Sequence, residues 1–221
     1  MIDREWLFIM GMVRSGTTLM TRLLTLHPAC WITAECGWPL NILWGMTLPP
    51  PGYSRATWDD SGDCEWRLPR LSSIDDAHEI TRAMCEGYMA RLHPEARVCG
   101  DKAPYYGMPH PDGSGRRIWH DLRDLWPDCK LLVMHRNFDA VVESASRTWP
   151  DVHTAERLAE EAQMRAEGHA LIPDPYNVQL EELEASPREV MRGVLEWANL
   201  PPEAYPWDKF DAHFEPGHRV N

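Results

Sequence analysis

The chain has 221 residues, of which 43% are hydrophobic and 25% charged. It is therefore long enough to bury the core of one large domain, and its composition excludes a wholly disordered protein. Its 34 acidic residues against 22 Lys and Arg leave a formal net charge of −12, the wrong sign for coating nucleic acid or an anionic membrane. An anionic ligand must be bound by a local basic cluster.

Cysteine usage and the first residues indicate the cellular compartment. The six cysteines include no C-x-x-C pair, and residues 1–5 lack the basic segment and long apolar stretch of a secretion signal. The longest apolar run near the N-terminus, residues 6–13, is far too short to span a bilayer. We expect reduced thiols in a cytoplasmic protein without a membrane anchor.

Apolar runs and helical periodicity predict an alternation of strands and helices along the chain. Strands are predicted at 6–10, 30–33, 97–99, 130–134 and, more weakly, 176–180. Helices are predicted at 18–27, 73–92, 118–126, 138–148 and 154–170, with a final helix that begins at Ser186-Pro187 and is capped by Ser186 and Glu189. A Pro- and Gly-rich loop covers 103–115.

Two segments of the middle of the chain have distinct patterns. Residues 47–72 contain Pro49-Pro50-Pro51 and scattered charges, which predicts an irregular, lid-like excursion over the core. In the helix that follows, Ser73 is the expected N-cap, with Asp76 three residues on. Its buried stripe is predicted to be Ala77, Ile80, Met84 and Tyr88.

The alternation without repeats predicts an α/β fold, a P-loop-like parallel β-sheet flanked by helices, in a single domain over 1–221 with a short C-terminal tail at 201–221. In such folds ligands bind at the carboxyl ends of the strands. The candidate functional residues should follow those strand ends.

Residues 11–18, Gly-Met-Val-Arg-Ser-Gly-Thr-Thr, have the glycine spacing of a phosphate-binding loop between a strand and a helix. Backbone N–H groups and the helix N-terminus can hold an anion there. Thr17 stands where a nucleotide triphosphatase has its lysine, and Arg14 supplies the charge instead. The candidate ligand-binding residues are Arg14, Ser15, Gly16, Thr17 and Thr18; alternatively, the segment is only a turn that joins a strand to a helix.

A second basic site follows the strand at 130–134. Arg136 stands at its end, and Ser144 lies eight residues later on the next helix, an arrangement suited to clamping a second phosphate. The other interpretation of Arg136 is a surface ion pair with Asp139 or Glu143. Two phosphate sites at neighbouring strand ends indicate a ligand with phosphates at both ends.

The two motifs together resemble a known family. Residues 8–18 resemble the 5′-phosphosulfate loop of sulfotransferases that depend on 3′-phosphoadenosine 5′-phosphosulfate (PAPS), and residues 132–144 resemble their 3′-phosphate motif. The likeness is greatest to tyrosylprotein sulfotransferases and their bacterial relatives, which share R-S-G-T-T-L-M, then His-Pro, then a glutamate, as in 14–20, 27–28 and Glu35. The resemblance extends over about residues 6–200.

The resemblance implies the chemistry of the site. By it, Glu35 is the catalytic base, and Lys102 in the Lys-x-Pro segment lies beside the transferred sulfuryl group of PAPS, which becomes adenosine 3′,5′-bisphosphate (PAP). Leu180 replaces the family's tyrosine. We expect partial burial of Glu35; the alternatives are a solvated carboxylate, and for Lys102 an ion pair with Asp101.

Several alternatives remain open on the sequence alone. His110 is a reserve candidate for the base. Tryptophans in or beside 36–70, namely Trp38, Trp44, Trp58 and Trp66, line an acceptor pocket or fill the core.

The prediction is a metal-independent, in-line sulfotransferase that acts on a hydroxyl or amine of a small-molecule acceptor, with no nucleic-acid or membrane partner. The competing functions are a P-loop small-molecule kinase, which would need Mg²⁺, and a non-catalytic PAP-binding module.

Overall fold

The computed structural model describes residues 3–35, 38–47, 73–149 and 154–214. The strands in these ranges are β1 (Glu5–Gly11), β2 (Cys30–Ala34), β3 (Val98–Lys102), β4 (Lys130–His135) and β5 (Tyr176–Gln179). The α-helices are α1 (Thr17–Thr25), α2 (Trp38–Thr47), α3 (Ile74–Leu92), α4 (Ile118–Leu125), α5 (Phe138–Thr148), α6 (Ala155–Ala170), α7 (Leu180–Ala185), α8 (Pro187–Trp197) and α9 (Trp207–Ala212).

The five strands form one parallel sheet in the order β2-β3-β1-β4-β5. Residues 6–10 of the central strand β1 are all buried, as expected of a parallel strand covered on both faces. Because β3 and β4 flank β1, their carboxyl ends lie on either side of the loop that follows Gly11. The predicted α/β fold with a P-loop-like parallel sheet is confirmed.

Helices cover both faces of the sheet. Apolar residues of α2, α3 and α4 pack with Phe8 and Met10 on one face. Those of α1, α8 and α9 pack with Leu7 and Ile9 on the other. The sheet thus holds the strand ends rigidly between two cores.

The predicted buried stripe of α3 is wrong apart from Ala77. Ile80, Met84 and Tyr88 are 37%, 52% and 45% exposed. The residues facing the core are Ala77, Thr81, Cys85 and Met89. Both sets have helical spacing and lie side by side on the helix, so periodicity does not decide which edge packs inward. The N-cap of this helix is as predicted, since Ser73 Oγ accepts a hydrogen bond from Asp76 N at 3.2 Å.

Three further segments differ from expectation. Helix α2 forms at 38–47, where no helix is predicted, while the remainder of the lid-like excursion, 48–72, lies outside the described residues. Pro187 begins α8 as predicted, but the Ser186 side chain makes no capping bond. The weak strand ends at Gln179, and Leu180 begins α7.

Much of the expected C-terminal tail belongs to the core, and α8 is not the last helix. Within the described part, 201–214, Tyr205 and Phe210 are buried against the α1 side of the sheet. The Tyr205 hydroxyl donates a hydrogen bond to Leu23 O at 2.7 Å. Apolar burial therefore anchors this segment to α1.

The four cysteines in the described ranges, Cys30, Cys85, Cys99 and Cys129, are free and buried. Burial raises the pKa of Cys99 and Cys129 to about 12, which keeps them in the unreactive thiol form. None of the helices that the structure describes is long and apolar enough to cross a membrane.

Candidate functional site

The loop between β1 and α1, residues 11–18, is the candidate anion-binding loop. Arg14 and Gly16 both have positive φ angles, 63° and 89°, which fold the loop back over the start of α1. Ser15 closes the turn, since its N and Oγ donate to Met12 O at 3.1 and 2.7 Å. No side chain caps α1 at Gly16. The first N–H groups of the helix therefore lack a side-chain partner, as an anion site at a helix N-terminus requires.

Both glycines of the loop are required by close packing. A Cβ atom at Gly11 would lie 2.6 Å from Met134 O, and one at Gly16 would lie 2.8 Å from Leu180 Cδ1. Leu180 is buried against the loop. At Gly11 the backbone of β4 leaves no room for a side chain, whereas at Gly16 the positive φ adds to the contact with Leu180 in favouring glycine.

The two basic clusters predicted from the sequence lie together. Arg14 Nε donates to Ser144 Oγ at 2.9 Å, and Arg136 Nη1 donates to Arg14 O at 2.9 Å. The Arg14 guanidinium also lies 5.5 Å from the ring centre of Trp149. Glu143, a suggested ion-pair partner of Arg136, lies instead 3.6 Å from Arg147. The strand end of β4 and the loop after β1 therefore form one continuous cationic site.

Glu35 and Lys102 are brought together at the other side of the loop. Lys102 Nζ donates to Glu35 Oε1 at 2.5 Å and to Thr18 Oγ1 at 3.1 Å. Glu35 has a positive φ of 56°, and its N–H donates to Lys102 O at 2.6 Å, which extends the pairing of β2 with β3. The expected partial burial of Glu35 is wrong, because its side chain is 64% exposed while that of Lys102 is 1% exposed.

Asp101, the residue before Lys102, has a separate role. Asp101 is buried and accepts hydrogen bonds from Thr33 Oγ1 at 2.5 Å and from the Tyr106 hydroxyl at 2.6 Å. Successive strand residues point to opposite faces, so Asp101 ties β3 to β2 while Lys102 meets Glu35. The ion pair of Lys102 is thus with Glu35 rather than with Asp101.

His110, the reserve candidate for the base, is buried between two carboxylates. Its Nδ1 lies 2.7 Å from Asp112 Oδ1, and its Nε2 lies 2.9 Å from Asp121 Oδ2. Trp44 Nε1 donates to the same Asp121 oxygen at 2.7 Å. Both ring nitrogens are engaged in holding a loop to α4, an arrangement that favours a structural role.

Of the four tryptophans suggested for an acceptor pocket, the described residues include the side chain of Trp44 alone. Trp44 packs against the core next to α4. The side chain of Trp38, and the whole of Trp58 and Trp66, lie outside the described residues. For Trp44 the core interpretation is therefore correct.

A cavity of about 540 Å³ opens beside Arg136 between the end of β4 and α6. Its polar lining comes from His135, Arg136, Arg165, His169 and Asn177. Burial, with the nearby charges of His135 and Arg165, lowers the pKa of His169 to about 4. The cavity extends the cationic surface away from Glu35 and Lys102.

One residue at the site was missed by the sequence analysis. Arg165 of α6 is 6% exposed, and its guanidinium donates to Gly11 O at 3.1 Å. The available signal was its position seven residues after Leu158, which places both on one face of a helix that is otherwise charged. In the described ranges no three His, Cys, Asp or Glu side chains are grouped to hold a metal ion.

The fold and the anion-binding loop together define a P-loop-like protein with cationic sites at two strand ends. The chain matches the sequence model of the Sulfotransferase family over residues 7–204 and belongs to that family. No curated protein is significantly similar to it in sequence.

Two solved structures have the same fold. Sulfotransferase STF9 from Mycobacterium avium is 16% identical with a TM-score of 0.56, and the match covers 100% of this chain and 71% of that chain. A sulfotransferase from Alicyclobacillus acidocaldarius is 16% identical with a TM-score of 0.53, covering 96% and 92%. At these identities the likeness shows the fold alone.

Proposed function

We propose that the chain transfers the sulfuryl group of PAPS to a hydroxyl or amine of a small-molecule acceptor and releases PAP. The observation that carries the proposal is the junction of Arg14, Ser144 and Arg136, which unites two anion sites at neighbouring strand ends. A donor with a 5′-phosphosulfate and a 3′-phosphate needs such a pair. The four free cysteines of the described residues support the proposed cytoplasmic location.

The chemistry of the residues fits this donor. The uncapped N-terminus of α1 and the side chains of Arg14, Thr17 and Thr18 supply hydrogen-bond donors for the phosphosulfate. Ser15, whose hydroxyl already donates to Met12 O, holds the loop in the shape that presents these donors. Arg136 and Ser144 supply a guanidinium and a hydroxyl for the 3′-phosphate. Gly16 allows the left-handed backbone angle, φ 89°, with which the loop enters α1.

Glu35 is the proposed general base. Its exposed carboxylate takes the proton of the acceptor as the acceptor oxygen or nitrogen forms a bond to sulfur. The bond from sulfur to the bridging oxygen breaks, and its electron pair goes to the 5′-phosphate of PAP. Positioned proton transfer of this kind contributes about 10²–10⁴-fold to rates.

Lys102 is the proposed electrostatic partner in the same step. Its buried ammonium, held by Thr18 and Glu35, is assigned the role of stabilising the negative charge that grows on the bridging and sulfuryl oxygens. A sulfuryl group carries less charge than a phosphoryl group, so cationic side chains can stabilise its transfer without a divalent metal. The proposed reaction is therefore metal-independent and in line.

Calorimetric titration tests the nucleotide site. PAP in EDTA and ATP with Mg²⁺ are titrated into wild type, Arg136→Ala and the control Arg147→Ala, whose side chain is exposed on α5 beside Glu143. We expect micromolar PAP binding without metal, at least tenfold weaker in Arg136→Ala and unchanged in Arg147→Ala. Binding of Mg·ATP alone would overturn the proposal in favour of a kinase.

A second assay separates an enzyme from a binding module. Wild type is incubated with ³⁵S-labelled PAPS and a panel of phenols, alcohols, sugars and amines. Labelled product with at least one acceptor is expected. Tight PAP binding without transfer to any member would favour the non-catalytic module.

A further inference from the structure

Helix α6 places an arginine against the strand ends. The buried residues of this helix are Leu158, Arg165 and Gly168, so a cation lies at the centre of its inward face. Burying an isolated charge is costly unless it is paired or hydrogen-bonded. Burial lowers the pKa of Arg165, yet a guanidinium stays charged in proteins.

The contacts of Arg165 join both halves of the candidate site. Its Nη1 donates to Gly11 O, where the anion-binding loop begins, and to Pro104 O, two residues after Lys102. Glu161 on the preceding turn of α6 holds Nη2 at 3.3 Å. One side chain thus connects the loop after β1 to the segment after β3.

The carbonyl oxygens of Gly11 and Pro104 lie beyond the last hydrogen bond between β1 and β3. The hydrogen bond from Ala103 N to Ile9 O, at 3.1 Å, continues the pairing of β1 with β3. Beyond it the two chains separate, and Gly11 O and Pro104 O need a donor from elsewhere. Arg165 Nη1 meets this need for both.

Helix α6 itself is held close to the segment after Lys102. A Cβ atom at Gly168 would lie 2.0 Å from Gly107 O, so only glycine allows this approach. Trp119 Nε1 also donates to Gly168 O at 3.2 Å. The backbone that carries Arg165 is therefore fixed relative to the loop it contacts.

We infer that Arg165 is a positioning residue for sulfuryl transfer: its guanidinium fixes the phosphosulfate loop, residues 11–18, relative to Lys102. The inference rests on the proposed function. Arg165 contacts two backbone carbonyls rather than the reacting groups, so its effect is on the placement of the loop amides and of the Lys102 ammonium.

Titration with two adenosine phosphates distinguishes this positioning role from a general contribution of Arg165 to the stability of the fold. PAP carries a 5′-phosphate for the loop that Arg165 holds, whereas adenosine 3′-monophosphate carries only the phosphate assigned to Arg136 and Ser144. Both are titrated calorimetrically into wild type, Arg165→Met, Arg165→Lys and the control Arg147→Met. Arg147 is exposed on α5 and pairs with Glu143 at 3.6 Å, so its substitution removes the same charge without disturbing Glu161, which holds Arg165.

The expected result is selective for the 5′-phosphate. Arg165→Met should bind PAP about tenfold more weakly, the size of effect expected when a hydrogen bond from a charged donor is lost, with adenosine 3′-monophosphate changed less than about twofold. Arg165→Lys keeps a cationic donor but loses the planar guanidinium that also contacts Glu161, so its PAP affinity should lie between those of wild type and Arg165→Met. In ³¹P spectra of bound PAP, only the 5′-phosphate resonance should move in Arg165→Met.

The results that would contradict the positioning role differ from those that would contradict the proposed function. Equal PAP affinity and equal ³¹P shifts in Arg165→Met and wild type would overturn the positioning role while leaving the proposed function intact. Failure of wild type to bind PAP would overturn both. If Arg165→Met does not fold, the same spectra of Arg165→Gln, which is too short to reach both carbonyls, decide between a shifted and an unshifted 5′-phosphate resonance.

Discussion

The Nζ atom of Lys102 lies 2.5 Å from Oε1 of Glu35, although the lysine side chain is buried and the glutamate side chain is mostly exposed. The pair therefore spans the boundary between the sheet interior and solvent. The hydrogen bond from Glu35 N to Lys102 O, at 2.6 Å, fixes the two residues through the backbone as well. A carboxylate placed in this way is accessible to an acceptor and stays beside a buried cation.

Replacement of Glu35 by Gln tests its role as the base. The amide keeps the size of the side chain and can still accept from Lys102, so PAP affinity should stay within about threefold. Without a proton acceptor, transfer to an acceptor that wild type sulfates should fall by about 10²-fold or more. Single-turnover transfer of ³⁵S from PAPS measures the loss.

Glu143→Gln is the matched control for this substitution, since Glu143 is exposed on α5 and pairs only with Arg147 among the contacts described. Its transfer rate should equal that of wild type. A Glu35→Gln variant with wild-type rate would assign proton removal to another group.

Gly16→Ala tests the shape of the anion-binding loop. An alanine at φ 89° is strained, and its Cβ would lie 2.8 Å from Leu180 Cδ1. We expect the free energy of unfolding to fall by about 1–3 kcal/mol. PAP affinity should fall at least tenfold, because the strained residue precedes the first N–H groups of α1. Urea denaturation and calorimetry measure the two effects.

Two further variants distinguish backbone strain at residue 16 from the steric clash with Leu180. Gly16→Ala combined with Leu180→Ala removes the collision, so loss of affinity that persists beyond the effect of Leu180→Ala alone reflects the backbone angle. Gly87→Ala in α3, where a Cβ meets nothing within 4 Å, should be neutral or stabilising by about 0.5–1 kcal/mol. Unchanged PAP affinity in Gly16→Ala would argue against anion binding at this loop.

The strands and the anion-binding loop were predictable because their signals are local. A continuous apolar run such as residues 6–10 must be buried on both faces, and the glycines after it fit only a tight loop. The meeting of Arg14 with Ser144 follows from sheet order, since the carboxyl ends of β1 and β4 are neighbours. The prediction that the two motifs stand at neighbouring strand ends therefore correctly places Arg14 and Ser144 beside each other.

The sequence predictions that are wrong or absent concern tertiary packing, which depends on contacts between residues that are distant in the sequence. Helix α3 has two adjacent stripes at helical spacing, and only contact with α2 and α4 selects the one with Thr81 and Cys85. Glu35 was expected to be partly buried because apolar residues surround it in sequence, but a positive φ turns it outward at the end of β2. Arg165 was missed because its partners are carbonyl oxygens, which no sequence pattern identifies.

Protonation of His169 should destabilise the protein at mildly acidic pH. Burial, with the charges of His135 and Arg165, lowers the pKa of His169 to about 4 from an ordinary value of 6.5. Between these two values the unfolded chain binds a proton that the folded protein does not. The contribution of neutral His169 to the free energy of unfolding is therefore fully present above about pH 6.5 and decreases as the pH is lowered toward 4. From pH 7.5 to 5.0 the loss attributable to this residue is about 2 kcal/mol.

His169→Gln removes the titrating group from the same place, so its unfolding free energy should fall by about 2 kcal/mol less than that of wild type between pH 7.5 and 5.0. Urea denaturation at the two pH values measures the difference. His27, whose pKa is also lowered by burial, contributes to both proteins and cancels in the comparison. Asp112, with a pKa lowered to about 2 by hydrogen bonds from Ser114 and His110 that outweigh its burial, acts only at lower pH. Equal pH dependence of the two proteins would show that His169 is protonated as readily in the folded chain as in the unfolded one.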